Sequence, residues 1–255
     1  MRRRALSTSR ELARFDAYVF DKDGTLLDFG ATWHAAIHAG ILHAAAGDAS
    51  KASAIAGTLG FDMAARAAAP SAPVVHAGND ELVAMLRPHL DGGRARALMD
   101  DVLARALGRV VEAPGASRTL ERLREHGVPV AVATNDDEAA AAAQLAALGW
   151  LVPGGEADGA GAPPLISRAR VFGCDSGHGA KPAPGMLLAA AAAVGVPAAR
   201  CAMVGDAMTD LVGARRAGFG AAILVGGDEV AAHAPHADFW IRDLAQLLPR
   251  GAGSL

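Results

Sequence analysis

Two carboxylates separated by one residue follow a short apolar stretch near the start of the chain. Residues 17–20 are apolar and β-forming, which predicts a buried strand that ends directly before Asp21, and Asp23 and Gly24 come shortly after it. Ligands of open α/β sheets bind beyond the carboxyl ends of the strands, so both acids are expected at a functional edge. Two carboxylates this close repel one another unless a cation or a proton lies between them. The alternative for Asp-Gly after a strand is a plain hairpin turn.

A hydroxyl and an amide side chain follow another predicted strand. Residues 128–133 form an apolar run, and Thr134 and Asn135 come directly after it, just before a predicted helix. The Thr134 hydroxyl can donate to a phosphate oxygen, and the positive end of the helix favours an anion. The alternative is that either side chain only caps the helix.

A lysine directly before a proline lies in a glycine-rich stretch ahead of a further predicted helix. Lys181 and Pro182 precede residues 185–194, which predict a helix that ends at a glycine. An ammonium group in such a loop can neutralise both a carboxylate nucleophile and the phosphate that it attacks. The alternative is an ordinary solvent-exposed lysine.

A second pair of acids follows a third apolar run. Residues 200–204 predict a strand, and Gly205 and Asp206 come directly after it. Asp210 lies four residues beyond Asp206, so in a helix that begins near residue 207 it points back toward that acid. Carboxylate oxygens at this place suit Mg²⁺, which binds few carboxylates and keeps several waters. The alternative is that both acids only complement the dipole of the helix.

The elements between these groups predict two structural parts. Residues 29–111 contain helical patterns and loops with almost no strand, whereas helix and strand patterns alternate from residue 112 onward. We therefore predict an α/β fold with a Rossmann-like parallel sheet core flanked by helices, formed by residues 1–28 and 112–255. An α-helical insertion, residues 29–111, separates the first strand from the others, and this strand is expected near the centre of the sheet.

Several local features are also predicted. Residues 32–46 carry apolar side chains at helical spacing, and Asn79 is placed to cap a helix over residues 80–90. Residues 61–78 contain two prolines and are expected to form an exposed loop. Residues 154–164 are rich in Gly, Ala and Pro and are expected to form a flexible loop.

Bulk properties limit the function classes. With 255 residues, 52% apolar composition and a net charge of −3, the chain predicts a folded protein without affinity for nucleic acid or an acidic membrane. Cys174 and Cys201 form no metal or disulfide pattern, and no apolar stretch long enough for a signal peptide or membrane span follows the basic residues 2–4. Residues 1 to about 15 are expected to be a mobile lead-in in which Leu12 and Phe15 pack locally. We expect a cytoplasmic monomer or homodimer.

The four groups occur along the chain in the order Asp-x-Asp, Thr, Lys-Pro and Gly-Asp-x-x-x-Asp. This order resembles the four motifs of the haloacid dehalogenase superfamily, and the resemblance covers residues 17–225. The run Phe-Asp-Lys-Asp-Gly-Thr-Leu at residues 20–26 and the run at residues 175–186 resemble in particular its phosphoglycolate phosphatase-like branch. Many members of the superfamily carry a helical cap after the first motif, which is where residues 29–111 lie.

The resemblance implies a role for each residue that matches a motif. Asp21 would be the nucleophile that forms an aspartyl-phosphate, and Asp23 would protonate the leaving oxygen and later activate water. Thr134 and Lys181 would hold the phosphate with Asn135 beside them, and Lys181 would also orient Asp21. The residue types agree with this chemistry, because a carboxylate that attacks a phosphate dianion must be shielded by cations.

The resemblance also implies a Mg²⁺ ion and a cap loop that faces the substrate. Asp21, Asp206 and the backbone carbonyl of Asp23 would bind the ion, with Asp210 in a supporting position. Arg66 is the single arginine of the cap loop and the candidate there for a substrate contact. Together these residues predict a phosphatase whose partner is a small phosphorylated metabolite.

Other activities remain open from the sequence. A sugar phosphomutase would keep the same aspartates but return the phosphate to the sugar, and a catalytically idle protein would use the fold only for binding. The charged motif residues argue against an idle protein, since binding alone does not need four such groups in one cleft. A dehalogenase does not need a second acid such as Asp23. A phosphonate hydrolase would need a cap lysine for a Schiff base, and Lys51 is the only lysine between residues 27 and 112.

Overall fold

Six parallel strands form the central sheet of the protein. The computed structural model describes residues 14–69, 71–151 and 164–247. In order across the sheet, the strands are β5 (Val171–Phe172), β4 (Val130–Ala133), β1 (Ala17–Phe20), β6 (Cys201–Gly205), β7 (Ala221–Val225) and β8 (Phe239–Ile241), while β2 (Phe61–Asp62) and β3 (Ala67–Ala68) pair elsewhere. β1 lies between β4 and β6, which confirms its predicted central position.

Both faces of β1 are buried because helices cover both faces of the sheet. Tyr18 and Phe20 belong to one hydrophobic cluster, and Ala17 and Val19 belong to another on the opposite face. A continuous apolar run is typical of a parallel strand that is covered on both sides. β1 therefore delivers the next residue, Asp21, to the carboxyl edge in the middle of the sheet.

The insertion after β1 forms a helical layer with a hydrophobic cluster of its own. Its helices within the described residues are α1 (Phe29–Ala45), α2 (Ala49–Leu59), α3 (Pro73–His76), α4 (Asn79–Leu86) and α5 (Gly92–Leu107). Their apolar faces meet in one cluster, which is separate from the two clusters along the sheet and includes Ile37, Ile55 and Leu98. The predicted α/β core with an inserted helical cap is confirmed, whereas the domain limits between residues 28 and 112 remain a prediction.

Aspartate caps set where these helices begin. The side chain of Asp28 accepts a hydrogen bond from the backbone N–H of Ala31 at 2.9 Å, so α1 begins at Phe29 and not at residue 32 as predicted. Asp48 and Asp91 cap α2 and α5 in the same way. The predicted start lies three residues too far along the chain, because it was taken from the apolar spacing, which does not show the position of an N-cap residue.

The exposed loop predicted for residues 61–78 is wrong, since this segment contains β2, β3 and α3. The turn between β2 and β3 is fixed by the side chain of Asp62, which accepts from the backbone N–H groups of Ala64 and Ala65 at 2.8 and 2.9 Å. Pro73 begins α3, a position at which its missing N–H has no cost. Elements this short leave no periodic pattern in the sequence.

The predicted cap role of Asn79 is also wrong. Gly78 occupies the N-cap position of α4, and Asn79 is the first residue of the helix. The side-chain amide of Asn79 donates to Asp137 Oδ2 at 2.7 Å, so it links the helical layer to the core. This contact joins residues far apart in the chain, and local sequence patterns do not show such a partner.

The helices that flank the sheet in the described residues are α6 (Ala116–Glu125), α7 (Glu138–Ala147), α8 (Gly185–Val194) and α9 (Met208–Arg216). α8 has the limits that the sequence predicts, and β4 and β6 differ from theirs by at most two residues at either end. The sequence does not predict β8, because a strand of three residues at the edge of the sheet has too few alternations to recognise. The flexible loop predicted for residues 154–164 lies, except for its last residue, outside the described residues.

The two chain segments that join the helical layer to the sheet run side by side. The N–H of Asp28 donates to Val111 O at 3.0 Å, and the N–H of Ala113 donates to Leu26 O at 2.8 Å. Between these hydrogen bonds, Leu27 and Glu112 form an antiparallel bridge. The chain thus leaves the core and returns to it at one place.

Phe15 packs on the sheet ahead of β1. It is buried, and its ring lies edge-on to Tyr18 and Phe239 with centroid distances of 6.3 and 6.5 Å. Local packing of Phe15 was predicted, whereas Leu12 and the other residues of the predicted mobile lead-in up to residue 13 lie outside the described residues. Among the residues described, no helix combines the length and the apolar character needed to cross a membrane.

Leu187 and Leu188 test how α8 packs against the sheet. Leu187 is fully buried, whereas its neighbour Leu188 is 45% exposed. We expect Leu187→Ala to lower the free energy of unfolding by roughly 2–5 kcal/mol, because it removes buried methyl groups and leaves a cavity. The control Leu188→Ala should change this free energy by no more than about 0.5 kcal/mol. Urea denaturation measures both variants, and equal losses would contradict the orientation of α8.

Candidate active site

The carboxyl ends of three neighbouring strands bring the predicted motif residues together. Asp21 follows β1, Thr134 follows β4 and Asp206 follows β6. Lys181 reaches the same place from the loop before α8. A cleft opens there between the edge of the sheet and the helical layer, and the predicted core residues line it, apart from the buried Asp210.

A buried network of ion pairs centres on Lys181. Its Nζ donates to Asp21 Oδ1 and to Asp210 Oδ1, each at 2.7 Å, and all three side chains are buried. Burial alone would lower the pKa of Lys181, but the charges of Asp21 and Asp210 outweigh it and raise the pKa. Lys181 is therefore a fixed positive charge beside Asp21.

The carboxylates around Lys181 carry more negative charge than one ammonium group balances. The pKa of Asp21 is raised to about 7, first by burial and then by the charge of the nearby Asp210, against the opposing effect of the Lys181 charge. The pKa of Asp206 is also raised well above its usual range, first by burial and then by the charges of Asp21 and Asp210. An additional cation would relieve this repulsion.

Asp21, Asp206 and Asp210 form a group that could hold such a cation, since their ligand oxygens lie within 4.8 Å of one another. Asp210 uses both oxygens in hydrogen bonds, to Lys181 and to the N–H of Ala207. Asp206 accepts, within the described part of the chain, from one other residue, Thr25 Oγ1 at 3.0 Å. Hard oxygen donors of this kind fit a divalent cation held directly by Asp21 and Asp206, with Asp210 in support.

Gly24 allows the loop after β1 to pass close to Asp206. Its φ of 79° lies in the left-handed region that favours glycine. A Cβ atom at this position would lie 2.2 Å from Asp206 Oδ2, which is far inside contact distance. The loop can therefore run beside the acidic group only with a glycine here.

Thr134 has a hydroxyl that is available to a ligand. The side chain is buried at the end of β4, and Oγ1 accepts a hydrogen bond from the N–H of Asp136 at 3.1 Å. No acceptor for the hydroxyl proton is found in the described ranges, so this proton can be donated into the cleft. The predicted phosphate contact of Thr134 is compatible with this geometry and remains a prediction.

Asn135 holds the backbone of Lys181. Its Oδ1 accepts from the N–H of Lys181 at 2.8 Å, and its Nδ2 donates to Lys181 O at 3.0 Å. The amide thus fixes the loop that carries the ammonium group, a role that sequence analysis did not identify. The predicted substrate contact of Asn135 itself remains a prediction.

Asp23 is held by two side chains that sequence analysis also missed. Its Oδ1 accepts from Trp33 Nε1 at 2.6 Å, and its Oδ2 accepts from Lys22 Nζ. Burial alone would lower the pKa of Lys22, but the charges of Asp23 and Asp136 outweigh it and leave the pKa raised. Trp33 fits the apolar spacing of α1, so the sequence shows it as an ordinary packing residue. Only the general need of a buried indole N–H for a hydrogen-bond partner could have indicated its contact with a polar group.

Arg66 lies in the turn between β2 and β3, where it is exposed and has a φ of 52°. It is not among the described residues that line the cleft, and its substrate contact remains a prediction. The helical layer contributes mainly apolar side chains to the cleft wall, among them Phe29, Ile37 and Val102, together with His76.

Comparison with known families decides the relationship of this chain. The family profile described as haloacid dehalogenase-like hydrolase matches residues 15–218, which is most of the sequence. The chain belongs to this family. The membership confirms the resemblance that the four motifs indicate.

Curated relatives of this haloacid dehalogenase-like hydrolase are named for the same enzyme activity. The phosphoglycolate phosphatase of Xanthomonas campestris pv. campestris is 30% identical over 206 residues, 79% of each chain. The phosphoglycolate phosphatase of Xylella fastidiosa is 30% identical over 219 residues, 82% of this chain and 80% of that one. The structure of CbbY from Rhodobacter sphaeroides, solved in complex with phosphate, is similar to this one with a TM-score of 0.64 at 18% sequence identity. The match covers 91% of this chain and 96% of the CbbY chain, and it supports the fold.

Replacing Gly24 tests the close approach to Asp206. Gly24 and Gly47 both have positive φ, 79° and 88°. We expect Gly47→Ala to cost about 1–2 kcal/mol, because an alanine there is strained but its Cβ meets no atom within 4 Å. Gly24→Ala should cost more, because its Cβ also collides with Asp206. Equal losses in the free energy of unfolding, measured by urea denaturation, would contradict this packing.

Proposed function

We propose that this hydrolase is a phosphatase, which releases inorganic phosphate from a small phosphate monoester through an aspartyl-phosphate on Asp21. The proposal rests on the buried contact of Asp21 with Lys181, while the second acid, Asp23, is held by a different set of partners. The activity named for the curated relatives supports it.

In the first step, a carboxylate oxygen of Asp21 attacks phosphorus, and the bond between phosphorus and the ester oxygen breaks. Lys181 and the Thr134 hydroxyl donate to the phosphate oxygens and stabilise the charge of the transition state. Asp23, protonated at this point, gives its proton to the leaving oxygen. The alcohol departs and the phosphoryl group stays on Asp21.

In the second step, a water molecule attacks the phosphorus of the aspartyl-phosphate. Asp23, now a carboxylate, takes a proton from this water. The bond between phosphorus and the Asp21 oxygen breaks, which releases inorganic phosphate and restores the Asp21 carboxylate. Asp23 is protonated again and ready for the next substrate.

Mg²⁺ is the cation that we assign to the acidic group. Asp21, Asp206 and the backbone carbonyl of Asp23 would hold it, and Asp210 would support them through its contacts with Lys181 and Ala207. When bound, the ion neutralises part of the negative charge that the nucleophile and the phosphate bring together. The excess of carboxylate over ammonium charge in this buried group is the observation that favours it.

The cleft favours a small substrate. It encloses about 80 Å³, and the wall that the helical layer supplies is largely apolar. Phosphoglycolate, which the names of the curated relatives give as their substrate, is a short-chain phosphate monoester of this class. We propose it as the first candidate, and such a metabolite is consistent with the cytoplasmic location expected from the sequence.

A panel of phosphate esters with Mg²⁺ present tests the function. It contains phosphoglycolate, glycerol phosphate, hexose monophosphates, p-nitrophenyl phosphate and a folded phosphoprotein, and phosphate release is measured. We expect turnover of the short-chain esters and none of the phosphoprotein. A phosphomutase would instead isomerise a hexose phosphate without net phosphate release when primed with the bisphosphate, and a catalytically idle protein would release phosphate from none of them.

Replacing each acid of the first motif separates the two roles. Asp21→Asn should abolish turnover of every substrate, because no phosphoenzyme can form. Asp23→Asn should slow the first step far more for an alkyl phosphate than for p-nitrophenyl phosphate, because an acidic phenol leaves without a proton. General acid–base catalysis contributes roughly 10²–10⁴-fold, so the difference is measurable.

With the aryl ester, the second step of Asp23→Asn still lacks its base. Phosphate should therefore accumulate on Asp21, and mass spectrometry of the quenched variant should find one added phosphoryl group on the peptide that contains it. Equal losses on both esters with no trapped phosphoenzyme would show that Asp23 has a different role.

Metal dependence can be resolved to individual residues. Mg²⁺ should raise the thermal unfolding midpoint of the wild-type protein, because it binds the folded state. Asp206→Asn should lose most of this shift and Asp210→Asn less, since Asp210 already spends both oxygens on hydrogen bonds. EDTA should abolish turnover, and Ca²⁺, which prefers more ligands and longer bonds, should not restore it. Full turnover in EDTA would contradict the assignment.

A further inference from the structure

Lys22 is a buried cation that the reaction described above does not use. It lies between Asp21 and Asp23 in the chain, and its side chain is 0% exposed. Its Nζ donates to Asp23 Oδ2 and Gln144 Oε1 and lies 3.2 Å from Asp136 Oδ2. Two of its three N–H groups therefore donate hydrogen bonds, while the Asp136 carboxylate, whose Oδ2 accepts no hydrogen bond among the described residues, pairs with the ammonium group by charge.

The burial of this ammonium group needs a physical reason. Removing a charge from water is costly, and a buried ion pair is often no more stabilising than apolar side chains of similar volume. Packing alone would therefore be satisfied by an apolar residue at position 22. The lysine adds a directed N–H donor to one oxygen of Asp23.

Asp23 is held from two sides by different parts of the molecule. Lys22 holds Oδ2 from the core, where Gln144 and Asp136 fix its Nζ. Trp33 in the helical layer holds Oδ1, and its ring centroid lies 5.3 Å from Nζ of Lys22. A carboxylate that is held at both oxygens cannot turn about its side-chain bonds, so its orientation toward the cleft is fixed.

We propose that Lys22 is a positioning residue for Asp23, which keeps the carboxylate oriented for proton transfer to the leaving group and from the attacking water. The proposal rests on the proposed function, in which Asp23 carries out both transfers. Lys22 is not among the described residues that line the cleft, so it acts through Asp23 and not on the phosphate. Lys181 keeps the separate task of holding Asp21 and the phosphate.

Lys22→Met tests this role, with Lys51→Met as the matched change at a partly exposed lysine of α2. The probes are glycerol phosphate and p-nitrophenyl phosphate. We expect Lys22→Met to lower kcat for glycerol phosphate about 10- to 100-fold, because a reacting group displaced by about 1 Å costs up to this much. KM should stay within twofold, and the first step with p-nitrophenyl phosphate should be far less affected. Lys51→Met should leave both constants unchanged.

A second variant protects the test against misfolding. Lys22→Met leaves the partly buried Asp136 carboxylate, whose Oδ2 is enclosed, without its cation, and this alone destabilises the protein. The variant Lys22→Met with Asp136→Asn removes the unpaired charge. Its thermal unfolding midpoint should return toward that of the wild type, while kcat for glycerol phosphate stays low. Recovery of kcat together with stability would overturn the proposal, because Lys22 would then only neutralise Asp136.

The decisive comparison uses the phosphoenzyme formed with p-nitrophenyl phosphate, whose decay is followed by mass spectrometry after rapid quenching. In the wild-type background, Lys22→Met should slow this decay, because Asp23 activates the water. In the Asp23→Asn background, the same change should alter the decay less than twofold, since the group that Lys22 positions is already gone. Equal slowing in both backgrounds would overturn the proposal.

Failure of the proposed function has a different result. If no ester is hydrolysed, or if Asp23→Asn leaves both steps unchanged, then the phosphatase mechanism itself is wrong. If the wild-type protein hydrolyses the esters and Asp23→Asn is impaired, but Lys22→Met retains kcat for glycerol phosphate within twofold of the wild type, then only the positioning role is wrong.

Discussion

The ion pairs of Lys181 with Asp21 and Asp210, each 2.7 Å long, are the interaction on which the geometry of the site depends. A buried charge that loses its partner is strongly destabilising, so the segments that carry these residues cannot move apart independently. The three segments are the loop after β1, the loop before α8 and the first turn of α9. Asn135 adds the end of β4 through its two hydrogen bonds to the Lys181 backbone. The packed sheet positions all of these segments, and the ion pairs fix their final distances.

The two acids of the first motif are neighbours in the chain but have separate surroundings. Asp21 shares Lys181 with Asp210, whereas Asp23 contacts Lys22 and a tryptophan of the helical layer. Of the three lysines in the chain, two are buried at this edge of the sheet, one beside each acid. Carboxyl groups in different surroundings can take different roles in one reaction, which is what a nucleophile and an acid–base pair require.

Much of this arrangement could be predicted from the sequence, and the reason is that parallel strands bring their carboxyl ends to one edge. The positions of Asp21, Thr134 and Asp206 after apolar strands were enough to place them together, and the lysine loop joined them through its resemblance to a known motif. The helical insertion followed from the absence of strand patterns after the first motif.

The contacts that could not be predicted join residues that are distant in the chain. The partners of Asn79, Asn135 and Trp33 depend on how elements pack, and each of these side chains fits an ordinary local role as a cap or an apolar helix position. The burial of Lys22 is hidden for the same reason, because the sequence shows a lysine in a loop and not the direction of its side chain. The short β2, β3 and β8 leave too few residues for a periodic signal.

The antiparallel bridge between Leu27 and Glu112 has a consequence for how this architecture can vary. Because the chain leaves and re-enters the core at paired positions, the insertion forms a closed loop. Backbone hydrogen bonds between the outgoing and the returning segment fix its two attachment points. The pairing of the strands before and after the insertion therefore does not depend on the length of this loop or on the structure that it forms. The entropy of closing a loop grows only slowly with its length. One α/β core can thus exchange its whole insertion, and with it one wall of the cleft, without a change in the register of the sheet.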